Sequence, residues 1–93
     1  MRIERRLGDA RAILRPNSPA APGDDALEFI RRRSGTAAGV LGLVAAWLEE
    51  AGPPYAAVLR EVTRAREAAD EMDEDGAIAA ITSAQRALAR VRP

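Results

Sequence analysis

Residues 37–48 read AAGVLGLVAAWL, twelve positions without a charge, and their interpretation decides the fold. As a helix this stretch spans about 18 Å, far short of the ~30 Å of bilayer hydrocarbon. It is therefore predicted to be a central buried helix or an oligomer interface, not a membrane span. Val40, Leu41, Leu43, Val44, Trp47 and Leu48 supply bulk, while Gly35, Gly39, Gly42, Ala38, Ala45 and Ala46 keep another side thin. Small residues allow close helix approach at some cost in helix propensity. The expectation is a helix over 37–51 whose glycines serve dense packing inside one bundle.

Working outward, Ser34, Gly35 and Thr36 predict a break and a fresh cap upstream. The preceding helix would start at Asp24 or Asp25, whose short carboxylate accepts free first-turn N–H groups, with Glu28 as the capping-box acid, and would run to Arg33. Downstream, Gly52 closes the central helix and Pro53 and Pro54 open the next. Tyr55, Val58, Leu59, Val62, Ala65, Ala69 and Met72 then recur at helical spacing. After an acidic corner at 73–76, Ala77, Ile78, Ile81, Ala84, Leu88 and Val91 do the same, which predicts an αα-hairpin.

At the other end, Ile3, Leu7, Ala10 and Leu14 form an apolar seam on an Arg-rich helix over 2–15. The prolines and glycine of 16–23 cannot continue it and read as a semi-rigid linker. The fold class predicted is all-α: a small bundle of four to five short helices with a C-terminal αα-hairpin. One domain is expected, made of an N-terminal amphipathic helix (1–15), the linker (16–23) and a bundle (24–93). The N-terminal helix packs either on its own chain or on another.

With 93 residues, 47% hydrophobic and 30% charged, the chain is suited to one folded domain and is too apolar to be wholly disordered. It has no cysteine and no histidine, which excludes thiol nucleophiles, disulfides, the usual zinc sites and the usual neutral-pH general base. All 14 basic residues are arginine, and alanine is the commonest residue. That composition suits a GC-rich, bacterial genome. Met1 leads directly into the charged run Arg2, Glu4, Arg5, Arg6, with no apolar signal-peptide core, so a cytoplasmic location is expected.

Formal charge is zero but unevenly spread: eight Arg and five acids in residues 1–33, three Arg and nine acids in 34–85. A two-signed surface of this kind suits partner recognition better than nucleic-acid binding. Arg31, Arg32 and Arg33, with Arg2, Arg5, Arg6, Arg11 and Arg15, can nevertheless meet phosphates, which makes nucleic-acid association the alternative reading. Against it stand the neutral charge, only three aromatic residues for stacking (Phe29, Trp47, Tyr55), and the dipole match of arginines at a helix end.

Glu71, Asp73, Asp75, Gly76 and Ile78 coincide with positions 1, 3, 5, 6 and 8 of an EF-hand calcium loop. Position 12, which should be a bidentate glutamate, is Thr82, and position 9 is Ala79. The bland reading is a solvated, dipole-matched turn with Asp75 as helix cap. For catalysis, Glu49 with Glu50 and Asp73 with Asp75 are nominal carboxylate pairs at expected helix ends in water. No enzyme and no cofactor is therefore expected. Glu49 and Glu50 also oppose the dipole of their helix unless an arginine of the first helix answers them.

The expectation for function is a non-catalytic protein-interaction, assembly or regulatory module that binds a protein partner or itself, with no membrane association. Ile3, Leu7 and Leu14 are the candidate intermolecular seam, with Trp47 and Leu48 if the apolar helix reaches the surface, because bulky apolar groups left over by a small core anchor such contacts.

Overall fold

The structure, a computed structural model, describes residues 2–14 and 26–91. Its described residues form four α-helices: α1 (Arg2–Leu14), α2 (Ala26–Ala51), α3 (Ala56–Asp70) and α4 (Glu74–Val91), with a single 3₁₀ turn at Pro53–Tyr55. The linker expected at 16–23 and the capping residues Asp24 and Asp25 lie outside the described residues.

Three helices bury one face at spacings of three and four, as an amphipathic helix must. These are Leu7, Ala10 and Leu14 on α1, Val58, Val62, Ala65 and Ala69 on α3, and Ala77, Ile81, Ala84 and Leu88 on α4. Together with Ala37, Leu41, Val44 and Leu48 of α2 they make one contiguous core. α1 packs on α2 and α4, and α3 packs on the same two helices, so neighbours close a ring in the order α1, α2, α3, α4. Each fully buried Leu or Val stabilises the fold by ~1.5–3 kcal/mol. The many buried alanines contribute less area each, but they let the helix axes approach closely.

One expectation is corrected here. Ser34, Gly35 and Thr36 do not break the chain: α2 runs unbroken for 26 residues. Their low propensities cost roughly 2 kcal/mol together. Two contacts oppose that cost, whereas Ser34, buried in register with Ala37, Ala38 and Leu41, adds to it through a hydroxyl that has no partner among the described residues. The Thr36 hydroxyl donates to the Arg32 carbonyl at 3.0 Å, one turn back. Arg33, carried on the same turn, donates through Nε and one terminal nitrogen to both carboxylate oxygens of Glu74, each at 2.6 Å. Charge-assisted hydrogen bonds contribute about 1.5–3 kcal/mol each when shielded from water, and these two need the helix to be continuous through 33–37.

The two interhelical turns use different chemistry. Gly52 ends α2 at φ 94°, a conformation that only glycine adopts without strain, and its N–H donates to the Leu48 carbonyl at 3.2 Å. α3 ends at Asp70, two residues short of expectation, in a Schellman motif. Met72 sits at φ 59° and donates to Ala69 O at 3.0 Å, while Asp73 donates to Ala68 O at 2.8 Å. Asp73, not Asp75, then caps α4: its Oδ1 accepts the Gly76 N–H at 3.0 Å. Gly76 lies inside the first turn of α4, and a Cβ there would collide with the capping carboxylate.

Candidate functional site

The glycines and alanines of α2 were expected to serve internal packing, and the structure corrects this for Gly35 and Gly39. Both are exposed, and a Cβ added to either would meet nothing within 4 Å. Gly42 alone of the three faces a neighbour, the Arg66 guanidinium, at ordinary contact distance. A mid-helix glycine costs ~0.8–1 kcal/mol relative to alanine. At positions 35 and 39 no contact among the described residues compensates for that cost.

Gly35 borders a depression beside Ala69, Asp70 and Met72 at the end of α3, whereas Gly39 belongs to an outward face. Arg32, Thr36, Gly39, Leu43, Ala46 and Glu50 are all exposed and fall within one narrow stripe at 3.6 residues per turn. Between its charged ends the stripe has no charge. Leu43, 46% exposed, stands at its centre as the most exposed large apolar side chain among the described residues. At one end, Arg31 and Arg32 lie 3.9 and 4.0 Å from Glu28, loose contacts in water that contribute little. At the other, neither Glu49 nor Glu50 has an ion-pair partner among the described residues.

The expected arginine of α1 answers a different group. Arg2 places its guanidinium 5.2 Å from the centre of the Trp47 ring, which brings the start of α1 beside the end of α2. Such a cation–π contact contributes roughly 0.5–1 kcal/mol at an exposed site. Arg5 and Arg6 share with Arg2 and Trp47 the walls of an open depression of about 660 Å³. Arg6 also reaches Asp9 at 3.5 Å.

The residues chosen from sequence as an interface separate into two groups. Leu7, Leu14 and Leu48 are buried in the chain's own core and Ile3 is packed against it, so the N-terminal seam is turned inward. The reason is geometric: the seam of α1 fills the groove between α2 and α4, which α3 leaves open on that side. Trp47 reaches the surface in part, under Arg2. Of the three consecutive arginines, Arg31 and Arg32 are exposed, whereas Arg33 is committed to Glu74. The Glu74 hydrogen bonds raise the Arg33 pKa above its ordinary value, against a smaller opposing effect of burial.

Glu71, Asp73 and Asp75 do not assemble a cation site. Among the described residues no three Asp or Glu side chains converge on a point that could hold a metal. The Asp73 carboxylate is already bound to the first turn of α4. In the sequence Leu43 is one of six bulky residues in a stretch that suits either a buried helix or an oligomer interface. Only the register of α2 against α1 and α3 turns it outward, and no local signal carries that register.

What fold and surface define is a small all-helical protein whose core is served by one face of each helix, with an uncharged outer stripe on the longest one. No helix among the described residues is long and apolar enough to cross a membrane, because α2 carries arginines near one end and glutamates at the other. No protein-family model matches the chain, and neither a curated protein nor a solved structure is significantly similar to it.

Proposed function

We propose that this chain is a non-catalytic, single-domain helical bundle, its C-terminal αα-hairpin included, that works by binding protein through the outward face of α2. The observation that carries this reading is the exposed stripe around Leu43, uncharged between its ends, with Gly39 beside it at a position where no described residue lies within 4 Å of an added Cβ. Exposed apolar groups inside a charged rim are the usual anchors of protein contacts. The interface moves from the α1 seam, whose leucines serve the core, to Thr36, Gly39, Leu43 and Ala46.

Photo-crosslinking inside cells tests it. A photoreactive amino acid placed at Leu43 is expected to trap protein, whereas the same group at Arg60, exposed on α3, traps little. Equal yields at the two positions would dismiss the reading.

A second reading, contact with nucleic acid, is favoured by the depression that gathers Arg2, Arg5 and Arg6 beside Trp47. It moves the basic site from Arg31–Arg33, where one arginine is spent, to the start of α1. Its signature is retardation of single-stranded nucleic acid that weakens steeply with salt and with Arg5→Ala and Arg6→Ala. No retardation at low salt removes it.

A further inference from the structure

We infer that the partner of the α2 face is a second copy of this chain, docked antiparallel about a two-fold axis that crosses the outward stripe midway between Gly39 and Leu43. This rests on the protein-binding reading above and specifies its partner. An antiparallel pair of identical helices brings together residues whose numbers have a constant sum, and the six positions of the outward stripe obey one sum. Leu43 falls opposite Gly39 of the second copy, Ala46 opposite Thr36, and Glu50 opposite Arg32.

Each pairing is chemically complementary. The exposed leucine meets a position where nothing lies within 4 Å of a would-be Cβ, so it has room to seat against bare backbone. Small meets small at 36 and 46. At both ends an exposed arginine meets a glutamate that has no ion-pair partner among the described residues. Two-fold symmetry doubles every contact, as an isologous interface requires. The parallel alternative would set Leu43 on Leu43, Arg32 on Arg32 and Glu50 on Glu50. A face made of one helix from each copy is smaller than the ~1,600 Å² of a standard stable interface, so the dimer dissociates on dilution.

The absence of cysteine makes thiol crosslinking a clean test. Thr36→Cys and Ala46→Cys proteins are purified separately, then treated with a short bifunctional thiol reagent alone and as an equimolar mixture. The antiparallel pair brings position 36 against position 46 and holds like positions about 15 Å apart along the axis. The expected result is a covalent dimer in the mixture at several times the yield of either protein alone. Like pairs linking as well as mixed pairs, or no dimer at all, overturns the inference.

Light scattering over a concentration series supplies the second arm. Gly39→Gln is expected to weaken association at least ~10-fold while leaving the melting temperature equal or higher, since the added side chain meets open space. Arg32→Glu and Glu50→Arg are each expected to weaken it, and the double exchange to restore it. Association unchanged by Gly39→Gln, or no rescue by the double exchange, overturns the inference. If the in-cell crosslink from Leu43 is made to a different protein while the purified chain stays monomeric, protein binding stands and self-pairing fails.

Discussion

The outward face of α2 and the outward faces of α3 and α4 meet the same solvent with opposite chemistry. On α3 the exposed positions include Arg60, Thr63, Arg64, Arg66, Glu67 and Asp70, and on α4 Asp75, Ser83, Arg86 and Arg90. Such polar faces are what a helix with a single buried side presents to water. Along α2, from Gly35 to Trp47, nothing charged faces out. The difference teaches that α3 and α4 are finished by folding, whereas α2 has apolar residues on more sides than its neighbours cover.

The inner and outer faces of α2 set the sharpest test of that contrast. Leu41→Ala, at a site with no exposure, is expected to cost about 3 kcal/mol of unfolding free energy. Leu43→Ala, two residues on, should change it by less than ~0.5 kcal/mol. Urea denaturation of both variants measures the gap. Equal losses would mean that Leu43 is packed inside the monomer and that the two faces do not differ.

Next in size is the tie between the two regions. Glu74→Gln removes the charge that holds Arg33 while keeping the side-chain shape, and should cost about 2 kcal/mol. The loss should be local as well as global, with faster amide hydrogen exchange over residues 30–36 than over 40–48. Uniform exchange along α2 would show that its first half is held by something other than this pair.

Ser34 offers a smaller effect of opposite sign. Its hydroxyl is buried without a hydrogen-bond partner among the described residues. Ser34→Ala should therefore raise stability by about 1 kcal/mol, combining relief of that unsatisfied group with better helix propensity. A loss on denaturation would show that the hydroxyl is satisfied in solution.

The two turns give the smallest pair of effects. Gly52→Ala places a side chain at φ 94°, ψ −165°, a region essentially reserved for glycine, and should cost about 1 kcal/mol or more, whereas Met72→Gly relieves a milder left-handed strain and should return roughly 0.5 kcal/mol after the entropy of the unfolded chain is counted. Melting curves of the two variants should shift in opposite directions. A matched shift would mean that Met72 contributes packing that outweighs its backbone strain.

The same contrast explains how much was legible in the sequence. The apolar positions of α1, α3 and α4 were readable because each helix has one apolar stripe, and the turn at Gly52 because only glycine suits it. The expected break at 34–36 followed from propensity, a short-range quantity. Arg33 and Glu74, 41 positions apart, outweigh it by contacts that no local window contains. The cap at Asp73 was displaced to Asp75 for a similar reason: with acids at 73, 74 and 75, only the backbone decides which carboxylate reaches the first turn. The candidate site was the least legible part. Leu7, Leu14 and Leu48 looked available and are core, while nothing in the sequence separates Leu43, which is exposed, from the bulky neighbours that are buried.

By itself, then, the sequence determined that the chain is helical, that it has no thiol or imidazole chemistry, and which face of α1, α3 and α4 turns inward. Local propensity, composition and a single apolar stripe are sufficient for those. Tertiary structure alone decided the continuity of α2, the register that buries Leu41 and exposes Leu43, the commitment of Arg33, and the placing of Arg2 on Trp47. An evenly apolar helix has no preferred side of its own, so its orientation is set by the volume its neighbours leave to be filled.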